Sequence, residues 1–336
     1  MFGNVIFDLI ELACDSEEDT TLLKERFYKV LGRHFSKNAY KSFACAYYPF
    51  NIRFHPSRYF SSIDDIYSLN DTNFETPSLE DLSQLFQELN LTSEITSRVK
   101  VRGIHLCKNV LLNEIVSKYI PDVEKLNIKS RLNIRHQYNN GSIEFFTVRN
   151  NQESGDTCAS KRYILYDKLK ELGDKIKNPI SKLHLKTPLN EEDKIKLGKN
   201  YNDLLNEILI TDGLNIGRFE IKYVKNKVED VAKYFGCKEL YLSDIIDSIK
   251  DGSFYTKLNQ AYVEDLKQNL FIDSKIDTSN KIYTLISKAR GLTSGNKMEI
   301  AFIGDKEKMT KYKKLCKKAP VESTVRIDEL KAKLLY

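Results

Sequence analysis

The chain has 336 residues, 41% hydrophobic and 30% charged, with a formal net charge of +6. That length holds one large domain or two ordinary ones and buries a sizeable core. The absence of any run of 18 apolar residues excludes a membrane-spanning helix, and a pI near 8.7 suits a polyanionic partner without requiring one.

Met1 to Leu9 lacks a basic start and a long apolar core, so it reads as a strand rather than a secretory signal. That strand covers 1–12 and contains Val5-Ile-Phe-Asp-Leu-Ile-Glu-Leu12. Leu22, Leu23, Phe27, Val30 and Leu31 predict a helix over 16–31, capped by Asp15 or Ser16. Residues 42–54 return to strand character, with Pro49 confining the segment to an edge or splitting it in two. His55-Pro56 imposes extended or turn geometry, and 61–76 read as a polar loop. Ser78-Leu-Glu-Asp81 opens a helix with a capping-box pattern. Its apolar stripe is Leu79, Leu82, Leu85, Phe86 and Leu89. A strand is expected over 95–107 and a short helix near 109–119. Residues 130–137 and 142–149 read as two strands joined by a turn at Asn139-Asn-Gly141, followed by a polar loop over 150–160.

Residues 162–167 alternate and are rich in β-branched and aromatic types, which predicts a strand. Arg162, Tyr166 and Lys168 then share one face with Ile164, and Tyr163, Leu165 and Asp167 take the other. A tyrosine flanked by two cations suits attack on phosphate. The phenol ionises near pH 10, so on the order of one part in a thousand is phenolate at neutral pH. A nearby ammonium favours that anion. An ordinary amphipathic strand with a half-buried tyrosine is the bland and commoner meaning of the same spacing.

Helices are expected over 168–177 and 190–210, then a strand over 216–225. On that strand Arg218, Glu220 and Lys222 share a face, opposite Phe219, Ile221 and Tyr223. A carboxylate between two cations is a divalent-metal ligand, a general base, or part of a solvated face with weak ion pairs. His105 alternates with Ile104 and Leu106 and is a metal-ligand candidate or a hydrogen-bonded structural histidine. Glu144 is a second carboxylate candidate. No Walker loop, dinucleotide fingerprint, His-x-His pair or His-Glu-x-x-His motif is present. Six scattered cysteines, none spaced Cys-x-x-Cys, argue against a zinc site or disulfide framework and fit a reducing cytoplasm.

After 226 short amphipathic helical patterns dominate. Residues 228–236 and 240–246 read as a helix–turn–helix or as two packed helices. Residues 305–318 hold seven lysines, a phosphate-contacting or simply solvated segment. The expected division is 1–230 for a catalytic domain and 231–336 for a helical, lysine-rich region that contacts DNA. The expected fold is α+β, with a central, largely antiparallel sheet flanked by helices.

Four segments, taken in order, carry a resemblance. Asn51-Ile-Arg-Phe-His-Pro-Ser-Arg-Tyr-Phe60 is similar to a strand followed by a Ser-Pro-Ala-Lys-like turn. Val99 to Leu106 is similar to a Ser-Arg-Ile-Asp strand, with His105 in place of the aspartate and Gly103 interrupting the spacing. Tyr166-Asp-Lys-Leu-Lys-Glu-Leu172 is similar to Tyr-x-Lys-x-x-Glu-Leu, and Arg218-Phe-Glu220 to Arg-Phe-Glu. Together they resemble the gene II protein family of filamentous phages, the rolling-circle replication initiators also found in related phages and plasmids. The resemblance covers roughly residues 1–250.

It implies a rolling-circle initiator-like nicking domain that cuts one strand of supercoiled origin DNA by tyrosine attack. A 5′-phosphotyrosine forms, a 3′-hydroxyl is left for a host polymerase, and the displaced strand is later rejoined. By the same resemblance Tyr166 is the nucleophile, Lys168 supports it, and Glu171 matches the family's glutamate. Glu220, His105 and Glu144 are then the expected ligands of Mg²⁺ or Mn²⁺, and Arg162, Arg218 and Lys222 the expected DNA contacts. Tyr163 is expected to face away and take no part. Implied partners are origin DNA, as supercoiled duplex and single strand, with host polymerase and helicase, and a homo-oligomer on DNA. The implied location is the cytoplasm of a bacterial host. The rival readings are a non-catalytic origin-binding regulator on the same scaffold, a mobilisation relaxase, and an interaction protein without nucleic-acid affinity.

Overall fold

The computed structural model describes residues 4–31, 40–42, 48–56, 76–124, 126, 132–137, 141–147, 161–171, 189–210, 215–271 and 324–336. Its strands are β1 (Ile6–Cys14), β2 (Tyr40–Ser42), β3 (Phe50–Phe54), β4 (Lys100–Leu112), β5 (Leu132–Gln137), β6 (Ser142–Thr147), β7 (Lys161–Asp167) and β8 (Asn215–Val224). They form one eight-stranded sheet in the order β2-β3-β1-β4-β8-β7-β6-β5. Every neighbouring pair is antiparallel. The described helices are α1 (Glu17–Leu31), α2 (Leu79–Glu88), α3 (Ser93–Thr96), α4 (Val116–Glu124), α5 (Glu191–Ile210), α6 (Glu229–Ala232), α7 (Leu242–Lys250), α8 (Phe254–Asn269) and α9 (Val325–Leu335). The fold is α+β, as the mixture of strand and helix periods predicts.

Alternation decides which sheet face is buried under helices. On β8, Phe219, Ile221 and Tyr223 are buried, opposite Leu106 and Ile104 of β4 and Leu165, Tyr163 and Lys161 of β7. Phe27 of α1 packs on Phe50 and Phe54 of β3, with ring centroids 5.3 and 6.2 Å away. Phe254 of α8 meets Phe7 edge-on at 5.3 Å, and Tyr262 Oη donates to the Phe219 carbonyl at 3.0 Å. These residues belong to one core that runs from Val5 to Leu335. Truncating a ring such as Phe7 to alanine removes about 3–5 kcal/mol. Helices α7, α8 and α9 share that core.

Helix α9 is also held by polar contacts. Arg326 pairs with Glu114 at 2.9 Å and Asp122 at 3.3 Å. Tyr119 Oη donates to Glu329 at 2.5 Å, and the buried Lys108 amine donates to the Leu334 carbonyl at 3.3 Å.

Local signals place several elements as expected. Ser16 Oγ accepts from the Asp19 amide at 3.3 Å at the start of α1. Ser78 and Asp81 form the reciprocal capping box of α2. The 42–54 segment is two strands, β2 and β3, and Pro49 lies between them. The β5–β6 hairpin closes on Gln137 opposite Ser142, and Gly141 takes the φ of +58° that its turn needs.

Two expectations are corrected. Residues 93–96 form a helical turn capped by the Thr92 hydroxyl, so β4 starts at Lys100 and runs to Leu112. The helix expected near 109–119 begins at Val116. Cross-strand pairing extends the strand, because the ladder to β8 continues to Leu112 opposite Asn215. The first arm of the expected helix–turn–helix, α6, has only 4 residues. Residues 61–75, 150–160 and 305–318, with their loop and lysine-rich readings, lie outside the described residues. Among the described residues no helix is long and apolar enough to cross a membrane.

Candidate functional site

The sheet face opposite Phe219, Ile221 and Tyr223 carries Arg218, Glu220 and Lys222 of β8, with His105 of β4 level with Lys222. Strands β1 and β4 pair out of step between Phe7↔Leu106 and Leu9↔His105, which leaves Asp8 as an extra residue. Such a bulge bends the strand and re-aims its side chain. It turns the one acid of the run Val5-Ile-Phe-Asp-Leu-Ile10 toward His105 of β4 and Glu220 of β8. One ligand atom from each of Asp8, His105 and Glu220 lies within 4.8 Å of the other two. His105 Nδ1 is 3.5 Å from Glu220 Oε1. His55 Nδ1 lies 2.9 Å from the Asp8 carbonyl and 3.6 Å from its Oδ1.

Protonation follows from burial and neighbours. Burial alone pushes the Asp8 carboxyl up. The His55 hydrogen bond and charge, with Arg218 and His105, outweigh it and hold Asp8 well below the usual carboxylate range. Burial also raises Glu220, but the Lys222 charge and the His105 hydrogen bond leave it lowered. Burial pushes the His105 imidazole down against the pull of Glu220. The trio therefore holds two carboxylates and a neutral imidazole at neutral pH, the forms in which these groups ligate metal. Hard oxygen donors with one imidazole suit a small divalent cation.

Tyr166 stands on the neighbouring strand of the same face. Its register partner is Arg218, while Tyr163 and Leu165 point into the core and are fully buried. Tyr163 donates to Asp265 of α8 at 2.5 Å, as its inward orientation demands. Tyr166 lies within electrostatic reach of Arg218, Glu220, Glu171 and Cys107. Burial, the largest influence, raises its phenol well above the ordinary value of 10.0; Arg218 opposes this, and Glu220 and Glu171 add to it. The expectation that nearby cations ease ionisation is thus met in sign by Arg218 alone and outweighed in total.

Lys168 does not continue the strand face. β7 ends at Asp167, and 168–171 turn into helix. There the Lys168 amine is buried and bonded to Glu171 at 2.5 Å, within electrostatic reach of Cys107. Arg218 is buried and donates to Asn109 Oδ1 at 2.8 Å. Lys222 lies 3.3 Å from Glu220. Glu144 is buried and pairs with Arg162 at 3.3 Å. It stands outside the Asp8, His105 and Glu220 group, where Asp8 supplies the second carboxylate.

Sequence alone marks neither Asp8 nor His55. The available signal for Asp8 is an acid inside the otherwise apolar run Val5 to Ile10. His55 gives none beyond its proline neighbour. Comparison with known proteins found no matching family model, no matching curated protein and no matching solved structure.

Proposed function

We propose that the chain is a metal-dependent DNA nicking and joining enzyme that starts rolling-circle replication of a phage or plasmid. One observation carries the reading. A partly buried tyrosine and a buried arginine sit side by side on the sheet face where two ionised carboxylates and a neutral imidazole converge. In this reading Asp8, His105 and Glu220 would hold Mg²⁺ or Mn²⁺, which when bound polarises the scissile phosphate and offsets charge in the transition state.

The chain's own residues do the rest. His55 orients Asp8. Arg218, fixed by Asn109, offers its charge to the phenolate and the phosphate. Glu171, held by Lys168, accepts the phenolic proton. The Tyr166 oxygen bonds to phosphorus, the bond from phosphorus to the 3′-oxygen breaks, and that oxygen takes a proton from solvent as it leaves. The phosphotyrosine keeps the phosphodiester energy, so rejoining needs no ATP and no Walker loop.

The test incubates the chain with Mg²⁺ and supercoiled DNA of the replicon that encodes it. Open circles are expected. Glu220→Ala should lower the nicking rate at least about 100-fold with DNA affinity retained. An unchanged rate assigns Glu220 a purely structural part and removes the reading's main support.

A further inference from the structure

A cavity of about 270 Å³ opens where the β4–β8 ladder ends, and Lys100, Arg102, Lys225, Glu229 and Glu239 form its polar wall. Glu239 holds Lys100 at 2.5 Å. The other two cations reach the wall through separate departures from regular backbone. Arg102 is the extra residue of a second bulge, between Glu11↔Gly103 and Leu12↔Val101. Lys225 follows the last β8 pair, Val224↔Gly103, at φ +57°, a conformation that residues with side chains rarely adopt. Regular strands would have paired these two positions in the ladder. Instead both cations line one cavity, and neither has a carboxylate partner among the described residues. The Arg102 guanidinium lies over the Tyr48 ring at 5.0 Å.

We propose that this cavity is a phosphate subsite that grips the backbone of a single DNA strand several nucleotides from the reacting phosphodiester. Reaction at that phosphodiester rests on the nicking reading; the grip on the strand does not. Arg102 stands three residues before His105 on β4, roughly 10 Å away at strand rise. Tyr166 is level with Asn109 through Arg218, seven residues from Arg102 and roughly 23 Å along the strand, so the subsite holds a phosphate several nucleotides from the nick. Along β8 the cations continue from Arg218 and Lys222 to Lys225, in the direction such a strand would run. Tyr48 beneath Arg102 adds an aromatic surface of the kind on which unpaired bases stack.

The test measures anisotropy of a labelled oligothymidylate with the full chain across a salt series. Wild type is compared with the double variant Arg102→Gln/Lys225→Gly, in which glycine accepts the native φ. The log–log salt slope should fall by about 1.4, at about 0.7 for each phosphate no longer neutralised, and the Kd should rise about 25-fold at 0.1 M salt. Arg102→Lys/Lys225→Arg should keep the wild-type slope. If the double variant loses its folded melting profile, Lys225→Gly alone should still lower the slope by about 0.7. An unchanged slope and Kd in the folded variant overturns the proposal. So does displacement of the oligonucleotide by inorganic phosphate at equal phosphate concentration, which assigns the cavity to free phosphate. A wild type that shows the slope change but never nicks DNA sinks the nicking reading and leaves the subsite standing.

Discussion

Divalent cation should stabilise this fold, and Asp8→Asn should abolish the effect. Asp8, His105 and Glu220 present their ligand atoms within 4.8 Å of one another only in the folded chain. Three strands far apart in sequence supply them, so the unfolded chain has no such site. A ligand at 100 times its Kd that binds only the folded state adds about 2.7 kcal/mol. Unfolding entropy of about 2.1 cal/mol/K per residue gives roughly 0.7 kcal/mol/K for this length, so the melting temperature should rise by roughly 4 °C. Losing one of the carboxylates should weaken binding about 100-fold, which brings ligand concentration down to Kd and leaves about 0.4 kcal/mol, under about 1 °C. The assay is scanning calorimetry of chelator-stripped protein with and without Mn²⁺ or Mg²⁺. Glu144→Gln is the control, since Glu144 pairs with Arg162 and stands outside the trio. A wild type whose melting ignores both cations, or an Asp8→Asn chain that responds equally, refutes the reasoning.

Three further outcomes follow from the same geometry. Stability should fall as pH drops below neutral. His105 titrates below its ordinary 6.5 when folded, so the unfolded chain takes the proton first and stability is lost as pH falls from 6.5 through the folded value. The lowered Asp8 and Glu220 carboxyls add stability above the ordinary carboxylate range, and it is lost as pH falls through their folded values. Urea melts of His105→Gln should flatten the upper window, and a wild-type profile already flat from pH 7 to about 5.5 contradicts this sign. Asp265→Ala should cost about 3 kcal/mol, because it leaves the buried Tyr163 hydroxyl without its acceptor and takes the buried one of two carboxylates from the Lys161 amine. Asp230→Ala, at the more exposed side of the same amine, should cost about 1 kcal/mol or less, and equal losses refute the account. Lys108→Met should raise stability by about 1–3 kcal/mol, since Lys108 is 1% exposed with a carbonyl at 3.3 Å as its hydrogen-bond acceptor. Denaturant titration that shows a loss instead would mean that the hydrogen bond to Leu334 outweighs the burial.

The elements with strong local signals are legible in the sequence. The capping box at Ser78, the alternation of Arg218 to Tyr223, and the facing of Tyr163 away from Tyr166 all follow from side-chain chemistry within a few residues. What is not legible comes from contacts distant in sequence. β4 runs to Leu112 because β8 is there to pair with it. Asp8 enters the site because β1 slips one residue against β4. A bulge leaves no mark in a run of apolar residues beyond the odd acid within it. The same blindness lets Glu144 stand as a ligand candidate. Glu144 sits on β6, two strands from β8, and strand order cannot be read from alternation. Counting in twos puts Lys168 on the strand face, but the strand has already ended at Asp167 and given way to a helical turn.

The most direct measurement is mass spectrometry of the chain after incubation with Mg²⁺ and a single-stranded copy of its own replicon, followed by nuclease and protease digestion. The account predicts a nucleotide adduct on the peptide that contains Tyr166, lost in Tyr166→Phe and in chelator. An adduct on another tyrosine, or one that forms without divalent cation, would contradict it.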